Sequence, residues 1–262
     1  MKPINFFSIS FAVATLFTAC SSDTNDDKIR NLDQLEGKKI VVQEGTMFET
    51  LIKEKYPNYN ITIAPTFFGI YKDLVSGVAE YGIDEDVSAS LILAGGLSID
   101  TAYTNMPPTP MAAIFNKNNT ALKQQFDDFI TELEQSGQLA EIRNKWFNCV
   151  SPSSLPAPIA HCTEGEPLHA VIEADFPPFN LKKGNEVSGL DAELLTLFAD
   201  KINRPLQISI LPFGDLIPTI EQNKADISIS GISVTDERKE HILFSKPYNQ
   251  TYMVIVSLKK IK

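Results

Sequence analysis

Between Lys39 and Leu258 short apolar runs alternate with segments of helical spacing, and a Pro- and Ser-rich stretch, Val150 to His161, divides the series into two sets. A strand–helix–strand succession covers both faces of its sheet with helices, so parallel or mixed pairing is expected. Two such sets joined by a linker predict two lobes. A chain of 262 residues is long enough to give each lobe its own core. The expected fold class is α/β, each lobe a mixed sheet flanked by helices.

In the first set, Leu32 to Gly37 reads as one helical turn and Lys39–Gln43 (KIVVQ) as a buried strand running into Glu44-Gly45-Thr46. Phe48, Leu51, Ile52 and Lys55 follow at helical spacing, giving a βα unit whose helix opens at Thr46. Ile61 to Ala64 is a second strand, and Ile70 to Val78 a helix with Leu74 and Val75 turned inward. Asp84, Glu85 and Asp86 fall where a strand ends and a helix, Val87 to Leu93, begins. Acids at that point suit the positive end of the helix dipole, and equally a ligand cation. Met111 to Phe115 is a further strand entered through prolines. Leu122 to Phe147 holds two amphipathic helices divided at Gly137, with Trp146 and Phe147 in the core.

The second set repeats the pattern. Leu168–Ile172, Leu206–Ile210, Ile227–Ser230 and Tyr252–Leu258 read as strands, Asp191–Ile202 and Leu216–Gln222 as helices, and Glu173 to Phe179 as a Pro-rich loop. The strand at Ile227 leads into Gly231, after which Thr235 caps a short helix carrying Glu237 and Arg238. A strand end, a hydroxyl-rich turn and a helix start bring backbone N–H groups, Ser230, Ser233 and Arg238 towards one anion. Read locally, the same stretch also describes a surface turn whose Arg238 pairs with a nearby carboxylate.

A formal charge of −10 argues against nucleic acid or an anionic membrane surface as the partner, but not against a small zwitterion. The three histidines, at 161, 169 and 241, make no metal or triad pattern, and no cofactor is expected. At the N-terminus, Lys2 precedes an apolar run, Ile4 to Phe17, that is too short to span a bilayer comfortably and closes on Thr18-Ala19-Cys20. It resembles a bacterial lipoprotein signal, which implies cleavage before Cys20, lipidation of its thiol and anchorage in the periplasm or at the cell surface. Cys149 and Cys162 then remain as a pair bracketing the linker, expected to be bridged in an oxidising compartment.

Several motifs occur together in the second set. They are Glu173-Ala174-Asp175-Phe176-Pro177-Pro178-Phe179, Gly189-Leu190-Asp191-Ala192-Glu193-Leu194, Phe213-Gly214-Asp215-Leu216-Ile217-Pro218, Asp226 with SISGISVTDERK, and Phe244-Ser245-Lys246-Pro247-Tyr248. In this order they resemble the first half of the extracellular solute-binding proteins of family 3, the polar amino-acid receptors of ABC importers. Residues 32–147 resemble the second half of that family, from Asp33-Gln34-Leu35-Glu36-Gly37 and Gln43-Glu44-Gly45-Thr46 to Lys145-Trp146-Phe147. The halves stand in reversed order, which at this length implies one circularly permuted receptor rather than two truncated ones. On that basis residues 1–19 are the signal and 20–31 the tether. Residues 28–116 with 251–262 form one lobe, and 117–250 the other, including the linker 148–163. Two hinge crossings are expected, near Tyr248–Thr251 and near Asn116–Asn119.

The resemblance also implies a site. Arg238 would hold an α-carboxylate bidentately, helped by Ser233 and N–H groups around Gly231, while Ser230 and an acid of the other lobe receive the ammonium. Thr46 would add a donor when the cleft shuts, Phe176 and Phe213 would wall the side-chain pocket or else belong to the core, and Glu173 would line its entrance. The acid, usually Asp, falls on Glu85 with Asp84 and Asp86 beside it, and Met47 stands where a hydroxyl is common. The expectation is a monomeric, lipid-anchored receptor that presents an amino-acid-like ligand to ABC-importer membrane subunits and is not an enzyme. The alternatives are a cyclohexadienyl-dehydratase-like enzyme on the same scaffold, needing Glu173 or Glu85 as an acid of raised pKa, and a ligand-sensing module.

Overall fold

A computed structural model describes residues 29–148 and 157–259. Cys20, Cys149 and the expected signal segment lie outside the described residues, and with them the lipidation and the bridge to Cys162. After a 3-10 turn, Leu32–Leu35, closed by a capping box between Asn31 and Gln34, the chain lays down β1 (Lys39–Gln43), α1 (Met47–Lys55), β2 (Asn60–Ala64) and α2 (Phe67–Val75). It continues through β3 (Tyr81–Glu85), α3 (Asp86–Ala94), β4 (Ile99–Tyr103), β5 (Thr109–Met111) and β6 (Ile114–Asn116). Helices α4 (Thr120–Ser136) and α5 (Gln138–Phe147) break at Gly137, whose φ of 81° gives the left-handed cap that ends the first of them.

The second set supplies β7 (Leu168–Ile172), the short strands β8 (Asp175–Phe176), β9 (Asn180–Lys183) and β10 (Glu186–Ser188), then α6 (Leu190–Lys201) and β11 (Leu206–Ile210). Helix α7 (Phe213–Glu221), β12 (Ile227–Ser228), α8 (Asp236–His241), β13 (Ile242–Phe244), β14 (Asn249–Thr251) and β15 (Met253–Leu258) complete it.

Two five-stranded sheets result, in the orders β2-β1-β3-β15-β4 and β11-β7-β12-β6-β13. In each, the first three strands run parallel and the fourth is antiparallel to its neighbours. Each fourth strand comes from the other half of the sequence: β15 from the end of the chain, β6 from the first set. The chain must therefore cross between the sheets twice, and the crossing segments β5 and β14 pair antiparallel, Asn249 opposite Met111 and Thr251 opposite Thr109. One face of each sheet carries a core of its own, one around Ile40, Ile52 and Ile83, the other around Leu216, Ile220 and Ile232. A third core runs continuously across the junction through Phe67 and Phe176, whose ring centroids lie 5.4 Å apart, edge to face.

The α/β expectation holds, with local corrections. Met111 to Phe115 is two strands, because the chain changes partner there: Ala112 N–H donates to Ile232 and Ala113 N–H to the Ser245 hydroxyl. Ile114–Asn116 thus belongs to the second sheet, and the crossing lies at Thr109–Met111, earlier than Asn116–Asn119. The strand from Ile227 stops at Ser228, ahead of the positive φ at Gly231. Val75 points outward, 59% exposed, since the buried stripe of α2 is Phe67, Ile70, Tyr71 and Leu74.

Candidate functional site

Parallel strands aim their carboxyl ends at one edge of a sheet, and in a two-sheet molecule those edges face each other. Here β1 and β3 bring Gln43, Thr46, Met47 and Glu85, while the turns after β7 and β12 with α7 and α8 bring Glu173, Phe176, Phe213, Gly231, Ser233 and Arg238. The two sides close on a space of about 10 Å³, the size of one water. An amino acid enters only if they part.

Arg238 is 8% exposed and reaches across the junction: Nη1 donates to Ser233 O at 2.9 Å and Nη2 to Gly45 O at 2.9 Å. Its guanidinium carbon lies 5.9 Å from the Phe213 ring centre, within cation–π range. Thr235 N-caps the short helix α8 by accepting from Arg238 N–H, which fixes where the side chain starts. Among the described residues no carboxylate forms a salt bridge with Arg238, so the surface ion-pair alternative does not describe it. Burial lowers its pKa to about 10, against the opposing charges of Glu237 and Glu85. A buried cation hydrogen-bonded to carbonyls but to no carboxylate among the described residues can take an anion in their place.

The three acids separate by strand alternation. Asp84 is turned away from the cleft, where it accepts from the Tyr71 hydroxyl and from Glu85 N–H at 2.7 Å. Asp86 accepts from the Thr251 hydroxyl at 2.9 Å and from Tyr252 N–H at 3.0 Å. Glu85 alone lines the cleft, at the N-cap of α3 but without a capping bond. Opposite it, Glu173 is buried in the wall rather than at the entrance: Oε1 accepts from Gln43 Nε2 at 2.6 Å, and Oε2 has no hydrogen-bond partner among the described residues. Gln43, absent from the expected site, closes the cleft from the other side. Its signal was a polar residue ending an otherwise apolar strand.

Ser230 and Gly231 have other duties than expected. The Ser230 hydroxyl, fully buried, accepts from Glu173 N–H at 2.9 Å and stands behind the wall. Gly231 N–H is taken by Asp191 Oδ2 at 3.0 Å and the Tyr248 hydroxyl at 3.1 Å. A side chain at Gly231 would meet Phe176 Cε1 at 2.5 Å, so the turn needs glycine for space as well as for its φ of +57°. Thr46 lines the cleft, but its hydroxyl donates to Gln43 O at 2.7 Å while capping α1. Phe176 and Phe213 serve both core and wall.

Burial pushes Glu173 and Asp191 up to about 7 and Asp84 up to about 6, where bonds from Tyr71 and Glu85 partly offset it. Burial and the neighbouring Asp84 charge raise Glu85 as well. Each folded-state pKa exceeds its unfolded value. The stabilisation is therefore complete below about pH 4 and fades as pH rises through the folded values. The ligand-free chain should melt about 2–8 °C higher at pH 5.5 than at pH 8. A midpoint that is flat or higher at pH 8 in a calorimetric scan would refute this.

The family described as bacterial extracellular solute-binding proteins, family 3, matches residues 12–149 and 168–262. The arginine-binding extracellular protein ArtP of Bacillus subtilis (strain 168) is 34% identical over 86 residues, 33% of this chain and 34% of its own length. A probable histidine-binding protein of Neisseria gonorrhoeae is 33% identical over 94 residues, 35% of each chain. Among solved structures, the arginine-bound form of domain 1 from TmArgBP is 33% identical and covers 34% of this chain and 79% of that one, with a TM-score of 0.31. The chain spans about a third of the length of these curated relatives.

Proposed function

The chain belongs to the bacterial extracellular solute-binding proteins of family 3, and we propose from that premise that it captures a basic amino acid between its two sheets. The observation that carries this is Arg238, a buried guanidinium without a carboxylate, facing a cleft lined by Glu85 and Glu173. The ligand's α-carboxylate takes the place of Gly45 O and Ser233 O on Arg238, and Glu85 receives the ammonium. Glu173, with one oxygen unpartnered among the described residues, receives a cationic side chain. Arg238 faces two buried carboxyl groups of raised pKa, and a ligand with one carboxylate and two cationic groups would draw both into the charged form and pair with all three. The names of the relatives, arginine-binding and histidine-binding, support the same ligand class and a receptor rather than an enzyme.

In this proposal the receptor is lipid-anchored through Cys20, serves an ABC importer, and is circularly permuted. The exchange of β6 and β15 between sheets and the reversed order of the motifs support the permutation. Lobe limits follow the sheets: residues up to β4 with β15 form one lobe, β6 to β13 the other, and β5 with β14 the hinge. Thermal shift with L-arginine, L-lysine, L-histidine, L-glutamine and L-glutamate tests the ligand class. A basic amino acid at 100 times its Kd should add about 2.7 kcal/mol of stability. Silence from every amino acid sinks the proposal, and preference for glutamate overturns the charge assignment.

A further inference from the structure

The Gly189-Leu190-Asp191 motif places a fully buried acid that forms no salt bridge among the described residues, and the proposed ligand contacts do not use it. Asp191 Oδ2 accepts from Gly231 N–H at 3.0 Å and from Asn180 Nδ2 at 3.3 Å. The Tyr248 hydroxyl accepts from the same Gly231 N–H at 3.1 Å, so that one amide holds both groups. Tyr248 is the residue before hinge strand β14, and its own N–H donates to Met111 O, in hinge strand β5, at 3.0 Å. The turn that carries Gly231 and Ser233 is bonded to β5 as well: Val234 N–H donates to Pro110 O at 2.9 Å, and Ala112 N–H to Ile232 O at 3.0 Å. At the far end of β14, the buried Thr251 hydroxyl and Tyr252 N–H both donate to Asp86, the neighbour of Glu85.

We propose that Asp191 with Tyr248, and Asp86 with Thr251, are positioning residues that tie the turn leading to Arg238 and the ammonium-binding acid to opposite ends of one hinge strand. A hinge absorbs its motion in a few backbone torsions. Because β14 is held at one end to Gly231 and at the other to the residue beside Glu85, rotation there moves both ligand-holding groups together. The two charges of the ligand then set the hinge angle, and the hinge angle sets their spacing. The inference rests on the ligand reading for what is bound, but not for the tie itself.

Tyr248→Phe removes one hydroxyl at the first tie and Thr251→Val one at the second. Amide hydrogen exchange followed by mass spectrometry on the ligand-free chain should show segments 109–113 and 229–234 exchanging faster in Tyr248→Phe. In Thr251→Val the accelerated segments should be 84–87 and 249–253. Protection in β1, β2 and β11 should stay as in the parent in both variants. With L-arginine, each variant should bind about 3- to 10-fold more weakly, the loss of one net hydrogen bond. Exchange that is unchanged in both variants, or accelerated evenly along the chain, overturns the tie and leaves these groups as fold-stabilising only. If the parent binds no amino acid, the ligand reading falls and the exchange pattern still decides the tie.

Discussion

Arg238→Ala should lose nearly all affinity for L-arginine, on the order of 2–5 kcal/mol or about 30- to several thousand-fold, because the ligand carboxylate would be buried without its partner. The ligand-free chain should suffer much less. Arg238 contributes two bonds to carbonyls, at Gly45 and Ser233, but its burial without a carboxylate already lowers its pKa to about 10, a sign that the charge is poorly compensated. Removing it trades two hydrogen bonds for relief of that desolvation. The melting midpoint without ligand should therefore move by only a few degrees while the ligand-induced shift disappears. Arg238→Lys separates charge from geometry. A lysine keeps the positive charge but cannot grip a carboxylate with two parallel bonds, so binding should be intermediate between parent and alanine. Calorimetric titration of the three chains makes the comparison. Parent-like binding by Arg238→Ala would mean that the guanidinium only fastens the Gly45 turn.

Much of this arrangement was legible in the sequence because it depends on local physics. KIVVQ followed by a glycine turn and a capping Thr46 is a βα unit wherever it lies, and β1 and α1 fall where the pattern placed them. Arg238, Phe213 and Phe176 came from spaced motifs, and all three line the cleft. Strands without an apolar alternation escaped: β14 is Asn-Gln-Thr, and β4 (IDTAY) is an edge strand with partly exposed alternate residues. Site errors had a geometric cause. Adjacent residues of a strand point to opposite faces, so motif membership placed Asp84 in the neighbourhood but not on the cleft side, while Ser230, past the end of β12, is turned to the Glu173 N–H. The Gln43–Glu173 bond, joining residues 130 positions apart, had no local signature at all.

Gly45→Ala should produce the second large effect, through shape rather than charge. A Cβ at Gly45 would lie 2.6 Å from Gly214 Cα and 3.0 Å from Gly214 N, backbone atoms of α7 across the cleft. Neither can swing aside as a side chain would. The φ of +73° at Gly45 adds about 1–2 kcal/mol of left-handed strain for any L-residue, but that cost is the same whether the cleft is open or shut. The clash acts on the shut form alone. If it raises that form by about 3 kcal/mol, the apparent affinity for a ligand that needs closure falls about 150-fold. Gly214→Ala provides the control at the same contact. Its added Cβ would meet Glu44 Cγ at 3.8 Å and Gly45 Cα at 3.9 Å, ordinary van der Waals distances, and its place inside α7 favours alanine. That variant should bind L-arginine within about threefold of the parent and melt no lower. The contact is thus asymmetric: one methyl group blocks closure when it grows from Gly45 and fits when it grows from Gly214. Equal affinities for the two variants would show that the sheets need not approach this closely to hold the ligand.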